Sequence, residues 1–357
     1  MEIIDKGISV VLLAYMEEDN LKFLLPQIIN NLNKIGQDFE ILVIDTAEPL
    51  DHTREVCTEF NARYINQEWP GFGGAFKTGI KYANKEKFMI LDSDGSHNPN
   101  NIPEINKKFD EGNYDIVIGS RYIKGGETND KKTSVVMSKM LNLAFRICLG
   151  IKAHDISTDF RMYDTQQLKN VKLDNKNYDV LQEVLLKMKL NNPSLKIGEI
   201  PIVFNKRVYG ESKRNLLPFI IDYIKSLFKL TIMRFPALWN LLVYGIFGVC
   251  GALIEYSFFY LLTQYKIVEK VELANIIAAL VGFIFTFSMN TFLNFKKKDK
   301  LFRRLLSYGS VCVCGIAFST LMIYLLKPFA NLCLLKLGLM IIVSIMQFIL
   351  NKFITYR

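Results

Sequence analysis

At 357 residues the chain is long enough for two domains, half of it is hydrophobic, and it carries a formal net charge of +9. Its six cysteines form no Cys-x-x-Cys pair and no zinc spacing, which argues against a disulfide or metal framework. The positive charge comes without a basic-aromatic array, so it points to a membrane surface and to no nucleic acid.

The first half alternates short apolar runs with polar helical stretches. Ile8–Tyr15 reads as a first strand, and Glu17-Glu18-Asp19-Asn20 starts a helix, with acids favoured at its N-terminus. Glu40–Asp45 is a second strand, ending in an acid that either holds a ribose or base or caps the next turn. Arg63–Asn66 is a third. Trp69–Gly79 is glycine-rich and opens a helix, a weak signal for phosphate approach. Phe88–Leu91 is a fourth strand, and Asp92-Ser93-Asp94 follows it at once. Two carboxylates two residues apart at a strand end suit a hard divalent ion shared with a nucleotide. An ordinary Asp-rich turn fits those residues alone as well. Asp115–Gly119 is a fifth strand. Strand–helix alternation predicts an α/β domain whose mostly parallel sheet is covered by helices.

Ser134–Lys152 and Asn215–Phe235 mix apolar residues with lysines and arginines. Beside the first long apolar segment, the second reads as an interfacial amphipathic helix. Four such segments follow, Leu238–Leu262, Leu273–Leu293, Leu305–Leu326 and Leu332–Ile354, each long enough to cross a bilayer. The run Ile8–Leu13 is too short for a signal peptide. Lys296-Lys297-Lys298 with Arg303-Arg304 makes the loop between spans two and three cytoplasmic by the positive-inside rule. The expectation is a multi-pass protein of the cytoplasmic (inner) membrane, with its N-terminal half and both termini in the cytoplasm. Glu255 lies within the first span, where an acid is costly. Phe287–Phe295 and Phe348–Tyr356 share the pattern Phe-x-x-Asn-x-Phe-x-x-aromatic, which suggests duplicated two-helix hairpins.

Four stretches in the first half carry a resemblance. They are Asp92-Ser93-Asp94; Gly119-Ser120-Arg121-Tyr122 through Gly126; Asp155-Ile156-Ser157-Thr158-Asp159-Phe160-Arg161; and Glu199–Phe204 continuing to Arg207 and Gly210-Glu211-Ser212-Lys213. In this order and spacing the chain resembles glycosyltransferase family 2, specifically its polyprenyl-phosphate (dolichol-phosphate mannose synthase-like) members. The membrane half is similar to GtrA-like domains. The resemblance implies a GT-A (Rossmann-like) domain over 1–213, an interfacial helix over 214–236 and a four-helix transmembrane domain over 237–357. It implies a nucleotide-sugar donor, Mg2+ or Mn2+ and a polyprenyl-phosphate lipid acceptor; a homo-oligomer is compatible with it.

By position, Ala14, Tyr15, Glu17, Asp45 and Asp92 are expected to line the nucleotide-sugar pocket, with Asp94 as metal ligand and Ser96 as a weaker second ligand. Arg121, Ser138, Arg161, Arg207 and Lys213 are expected on the acceptor phosphate or donor diphosphate, and Asp94, Arg121, Arg161 and Arg207 form the catalytic set. The chain departs from the family's pattern at Ala14, Met16, Thr46 and Ser96, and in lacking an arginine just before Ser138. The reaction implied is inverting transfer of a hexose, of the GDP-mannose or UDP-glucose type, to a lipid monophosphate. The alternatives are a lipid-linked sugar flippase with a degenerate nucleotide-binding domain, or a transferase with a different lipid-linked acceptor.

Overall fold

The computed structural model describes residues 4–209, 216–269, 271–326 and 332–357. The chain divides between Arg234 and Phe235 into two compact units.

In the first unit the order is β1 (Asp5–Leu13), α1 (Glu18–Ile35), β2 (Phe39–Asp45), α2 (Thr53–Glu59), β3 (Arg63–Asn66), α3 (Phe72–Tyr82), β4 (Lys85–Asp92), α4 (Ile102–Gly112) and β5 (Ile116–Ser120). There follow β6 (Glu127–Thr128), α5 (Lys132–Leu149), β7 (Arg161–Asp164), α6 (Thr165–Lys169), α7 (Val180–Asn191), β8 (Ile197–Pro201), β9 (Val203–Phe204) and α8 (Leu216–Arg234). The main sheet runs β3-β2-β1-β4-β7-β5-β8. All its pairings are parallel except those of β7, which lies antiparallel between β4 and β5. The strands expected from apolar runs are present. The sheet gains β7 and β8, which overlap the end of one and the start of another of the stretches that carry the family resemblance.

The central strands are apolar on both faces because both are covered. Val10, Leu12, Val43 and Met89 face α1 and α4 through Leu21, Leu25, Ile28 and Ile105. Val11, Ile44, Phe88 and Ile90 face the other layer, through Phe76, Phe145, Val184 and Leu230. The edge of Phe76 meets Phe88, and that of Phe145 meets Tyr223 of α8.

Helices α5 and α8 pack together, and Arg234 closes the contact by donating to the carbonyls of Ile147 and Cys148 at 3.0 and 2.7 Å. Phe145 and Leu149 of α5 are buried. Val136, Met140, Leu143 and Ile147, at helical spacing on its other side, are exposed. Ile221, Ile224 and Phe228 make a similar exposed stripe on α8.

The described residues of the second unit form α9 (Pro236–Gln264), α10 (Val271–Met289), α11 (Leu301–Leu326) and α12 (Leu332–Leu350). Among the described residues, Pro236–Gln264 and Ile276–Asn294 are long and apolar enough to cross a membrane. Both α10 and α12 end in a π-helical turn, Asn290–Asn294 and Asn351–Thr355.

The two hairpins repeat each other in detail. Asn290 donates to Tyr308 Oη at 3.5 Å, and Asn351 donates to Tyr244 Oη at 3.0 Å. Phe287 meets Tyr308 edge-on, as Phe348 meets Tyr244. Asn294 donates to Asn290 Oδ1 at 3.0 Å, and Thr355 to Asn351 Oδ1 at 2.8 Å. Gly251 allows close approach to Thr286, as Gly315 does to Gln347. The equivalent residues Phe295 and Tyr356 stack on each other at 4.2 Å, as expected where a pseudo-twofold axis passes. Glu255 packs against Gly282 of α10.

Candidate active site

From β1 the chain steps through β2 to β3 on one side, whereas β4 lies on the other. The crossovers therefore diverge and leave a crevice beyond the C-terminal ends of β1 and β4, the position where open α/β sheets bind ligands. Leu13 pairs in register with both Ile44 and Asp92. Ala14–Glu17, Asp45 and Asp92–Asp94 consequently emerge along one edge.

The acidic turn is held from several sides. Ser93 donates its hydroxyl to the carbonyl of Leu13 at 2.5 Å. The Ser96 N–H donates to Asp94 Oδ1 at 3.0 Å, and its hydroxyl to Asp92 Oδ2 at 3.2 Å. Residues 204–208 run along the turn: the N–H of Asn205 donates to the carbonyl of Ser96 and that of Val208 to the carbonyl of Asp94. Gly95 has φ +76°, and a Cβ there would lie 2.6 Å from Val208. This strap brings Arg207 Nε to 2.9 Å from Asp94 Oδ2 and Arg207 Nη1 to 3.6 Å from Glu17 Oε1. Asn20 fixes Glu17 from the other side at 2.6 Å and also accepts the N–H of Tyr209 at 3.1 Å.

Beneath the acids lies His97, wholly buried. Its Nδ1 accepts the N–H of Asp92 at 3.1 Å, so Nε2 carries the proton and donates to Thr158 Oγ1 at 3.2 Å. Burial lowers the pKa of the ring, consistent with this neutral tautomer. Potential ligand atoms of Asp92, His97 and Asp159 lie within 4.8 Å of one another.

A second cluster surrounds Arg121. Its Nε and Nη2 donate to the two oxygens of Asp155 at 2.7 and 3.0 Å, and Nη2 also reaches Ser157 Oγ at 2.8 Å. Ser138 of α5 lies 3.4 Å from that same Ser157 hydroxyl. Burial opposes the Asp155 charge, but the paired bonds from Arg121 outweigh it and hold the carboxyl below its ordinary range. Glu199 of β8 secures the loop by accepting the N–H groups of His154 and Asp155.

Residues 9–171 match Glycosyl transferase family 2, and residues 243–356 match the GtrA/DPMS transmembrane domain. The first unit carries a family 2 glycosyltransferase domain. The chain is a membrane protein, and its first unit has the GT-A fold. It is 29% identical to a dolichol-phosphate mannosyltransferase of Pyrococcus furiosus, over 98% of this chain and 99% of that protein. It is also 29% identical to a polyprenol monophosphomannose synthase of Mycolicibacterium smegmatis, over 57% of this chain and 79% of that protein. Among solved structures, the glucosyl-3-phosphoglycerate synthase of Mycobacterium tuberculosis in complex with Mg2+ and UDP gives a TM-score of 0.51. At 17% identity, covering 63% of this chain and 79% of that one, it shares the fold.

Several residues of this glycosyltransferase sit differently from their expected roles. Arg161 is 0% exposed. Its guanidinium donates to the carbonyls of Thr158, Leu181 and Ile156 and to Tyr163 Oη at 2.7–3.1 Å. It braces the Asp155–Asp159 loop from within and has no surface to offer a phosphate. Asp155, six residues before Arg161, pairs with Arg121 instead. Ser96 orients both acids through its N–H and hydroxyl. Asp45 is buried, accepting from Thr46 N–H at 2.7 Å and Tyr64 Oη at 2.9 Å, and burial raises its pKa.

In the glycine-rich turn the N–H groups of Gly73, Gly74 and Ala75 are taken by backbone carbonyls. Gly73 N–H donates to the carbonyl of Lys176 at 2.8 Å, and the backbone of Asn175 and Lys176 fills the space a Cβ would need. Tyr15 is exposed and Ala14 buried. Lys213, with Gly210–Ser212, lies outside the described residues. Sequence reasoning did not single out Asn20 or Thr158, whose roles arise only from contacts between distant segments. The polar Asn20 in the first turn of α1 was the one available signal.

Proposed function

We propose that this glycosyltransferase moves one hexose from a nucleoside-diphosphate sugar to a polyprenyl or dolichyl monophosphate, with inversion, at the cytoplasmic face of the membrane. The observation that carries this reading is the position of the Arg121–Ser157–Ser138 cluster against the N-terminal half of α5. The outer side of that helix is the exposed stripe Val136, Met140, Leu143 and Ile147. A hydroxyl-bearing cluster around the Arg121–Asp155 pair, beside an apolar helix face, suits a phosphate on a lipid chain, with Arg121 shared between Asp155 and the phosphate. The names of the two relatives, a dolichol-phosphate mannosyltransferase and a polyprenol monophosphomannose synthase, support the same acceptor class.

In this account Ala14, Tyr15, Glu17 and Asp92 line the nucleotide end, and Asp45 serves it from within by holding Thr46 and Tyr64. Asp94, with Asp92 beside it in the turn, offers carboxylate oxygens of the kind that suit a hard ion such as Mg2+ or Mn2+. The Asp92–His97–Asp159 group adds candidates only through Asp92 and Asp159, because His97 has its nitrogens engaged. Such an ion, when bound, supplies positive charge against the leaving diphosphate. Arg207, already at the acidic turn, is placed to hold a phosphate oxygen, and Arg121, Ser138 and Lys213 hold the acceptor. Arg161 is a positioning residue.

The lipid phosphate is anionic near neutral pH, so its oxygen needs orientation more than deprotonation. A bond forms from that oxygen to the anomeric carbon as the bond to the nucleoside diphosphate breaks on the opposite face, with no covalent enzyme intermediate. The proposed arrangement is a catalytic domain over 1–213, an interfacial helix over 214–236 and four spans over 237–357, with both termini cytoplasmic.

The test is a donor panel of GDP-mannose, UDP-glucose, UDP-galactose and UDP-GlcNAc with purified protein, Mg2+ or Mn2+ and a polyprenyl phosphate, read by mass spectrometry. One donor yielding a lipid-monophosphate hexose supports the proposal. Transfer only to a different lipid-linked acceptor, with polyprenyl phosphate inert, overturns it.

A further inference from the structure

The two hairpins of the membrane unit share their framework but differ at one end. The equivalents of Phe235, Pro236, Trp239 and Asn240 at the start of α9 are Asp299, Lys300, Arg303 and Arg304 at the start of α11. In the first copy, Asn294 donates to the carbonyl of Asn240 at 3.0 Å. In the second, the bond between the same two positions runs from Arg304 Nη1 to the carbonyl of Thr355. The fold thus needs a bond there and no cluster of cations.

The second copy encloses a cavity of about 360 Å3 between the start of α11 and the end of α12. Lys300, Arg303 and Arg357 stand at its rim, with Arg304, Ser307 and Thr355 deeper. Arg304 is 6% exposed and pairs with Asp299 at 2.8 Å, which leaves the rim cations in excess of the one acid. Loop cations that only fix topology need to lie on the cytoplasmic side; they need neither a cavity nor a buried arginine. The Ser307 and Thr355 hydroxyls, 2.8 Å apart, add neutral hydrogen-bonding groups.

Apolar side chains flank the cavity on its outer side. Phe302, Leu306, Phe353 and Ile354 are all exposed on α11 and on the turn after α12. An anionic head seated among the cations would therefore leave its chain along an apolar surface. The volume lies at the small end of the ~300–1,000 Å3 of ligand pockets, which suits a headgroup and not a whole lipid.

We propose that this cavity is a binding site for the phosphate group of a membrane lipid, set within the second hairpin and independent of the transfer reaction. Arginine and lysine with hydroxyls match phosphate oxygens, and basic pockets between transmembrane helices bind lipid heads in this way. A phospholipid phosphodiester and a polyprenyl phosphomonoester share that chemistry.

The test uses the full-length protein in a zwitterionic detergent–phosphatidylcholine mixture, with either phosphatidylglycerol or polyprenyl phosphate added and bound lipid counted by native mass spectrometry. The variants are K300Q/R303Q and, as a charge-matched control from the same loop, K297Q/K298Q. Both residues of the first pair are exposed at the rim, so the thermal midpoint should hold. The expected result is a loss of lipid affinity of about 30-fold in K300Q/R303Q and little change in the control. Loss for phosphatidylglycerol alone assigns the site to a phospholipid, and loss for polyprenyl phosphate alone assigns it to that lipid. Equal loss in both variants, or none in K300Q/R303Q, overturns the site. Displacement of either lipid by inorganic phosphate at comparable concentration overturns the lipid assignment.

Discussion

Arg207 Nε and Asp94 Oδ2 stand 2.9 Å apart across the strap and the acidic turn. The carboxylate proposed for the metal is therefore already paired with a cation in the free protein. A divalent ion at Asp94 has to share it with Arg207 or displace the guanidinium toward a phosphate.

Removing Arg207 follows directly. R207A should bind Mn2+ more tightly than wild type in the absence of donor, because Asp94 loses a competitor. Transfer should nonetheless fall by about 10²–10³-fold, the usual loss for one charge-stabilising group. Calorimetric Mn2+ titration alongside initial rates checks both. Weaker Mn2+ binding in R207A would mean that Arg207 organises the ligand set.

Asp155 carries a stability prediction with a definite sign. Although burial works against its charge, the bonds from Arg121 depress its pKa below the ordinary 3.8. The stabilisation it supplies is complete above that value and is lost as pH falls through the lower folded value. D155N leaves Arg121 buried without its carboxylate, at a cost of about 3–5 kcal/mol at neutral pH. Thermal melts should show a large gap between wild type and D155N near neutrality that narrows below about pH 4. A constant gap across that range would contradict the pairing.

Arg161 should behave as a brace. R161A removes the bonds to the carbonyls of Thr158, Leu181 and Ile156, each from a charged donor and worth about 1.5–3 kcal/mol. The expected result is a lower melting midpoint for R161A, with any activity loss following the loss of folded protein. An R161A that melts like wild type but transfers no sugar would restore Arg161 to the phosphate.

How far the sequence carried the account depends on where burial was satisfied. Val10–Leu13 and Phe88–Leu91 were legible because strands covered on both faces need unbroken apolar runs. Strand β7 was not. Arg161-Met162-Tyr163-Asp164 begins and ends in charge, and only the ring of carbonyls around Arg161 explains how that charge is buried. Gly71 and Gly73 look the same whether they approach a phosphate or, as here, the backbone of Lys176. The hairpin duplication was visible in the spacing of Asn290 and Asn351. Their tyrosine partners were not, because Tyr244 and Tyr308 belong to the opposite hairpins.

The exposed stripe of α5 gives a prediction on the acceptor. M140E/I147E places two acids on the outer face and leaves Ser138 and Arg121 in position. Transfer to a long polyprenyl phosphate in vesicles should fall at least about tenfold. Transfer to a short-chain acceptor in detergent should change little. Equal loss with both acceptors would remove the stripe from the lipid path.

The most direct measurement of the central claim is lipid-linked hexose formed in reconstituted vesicles by wild type and D94A, with a matched nucleotide sugar, polyprenyl phosphate and Mn2+, and repeated with EDTA. The account predicts one hexose per lipid monophosphate from wild type, abolished by EDTA and in D94A. Undiminished transfer by a folded D94A, or in EDTA, would contradict a metal-assisted reaction at the acidic turn.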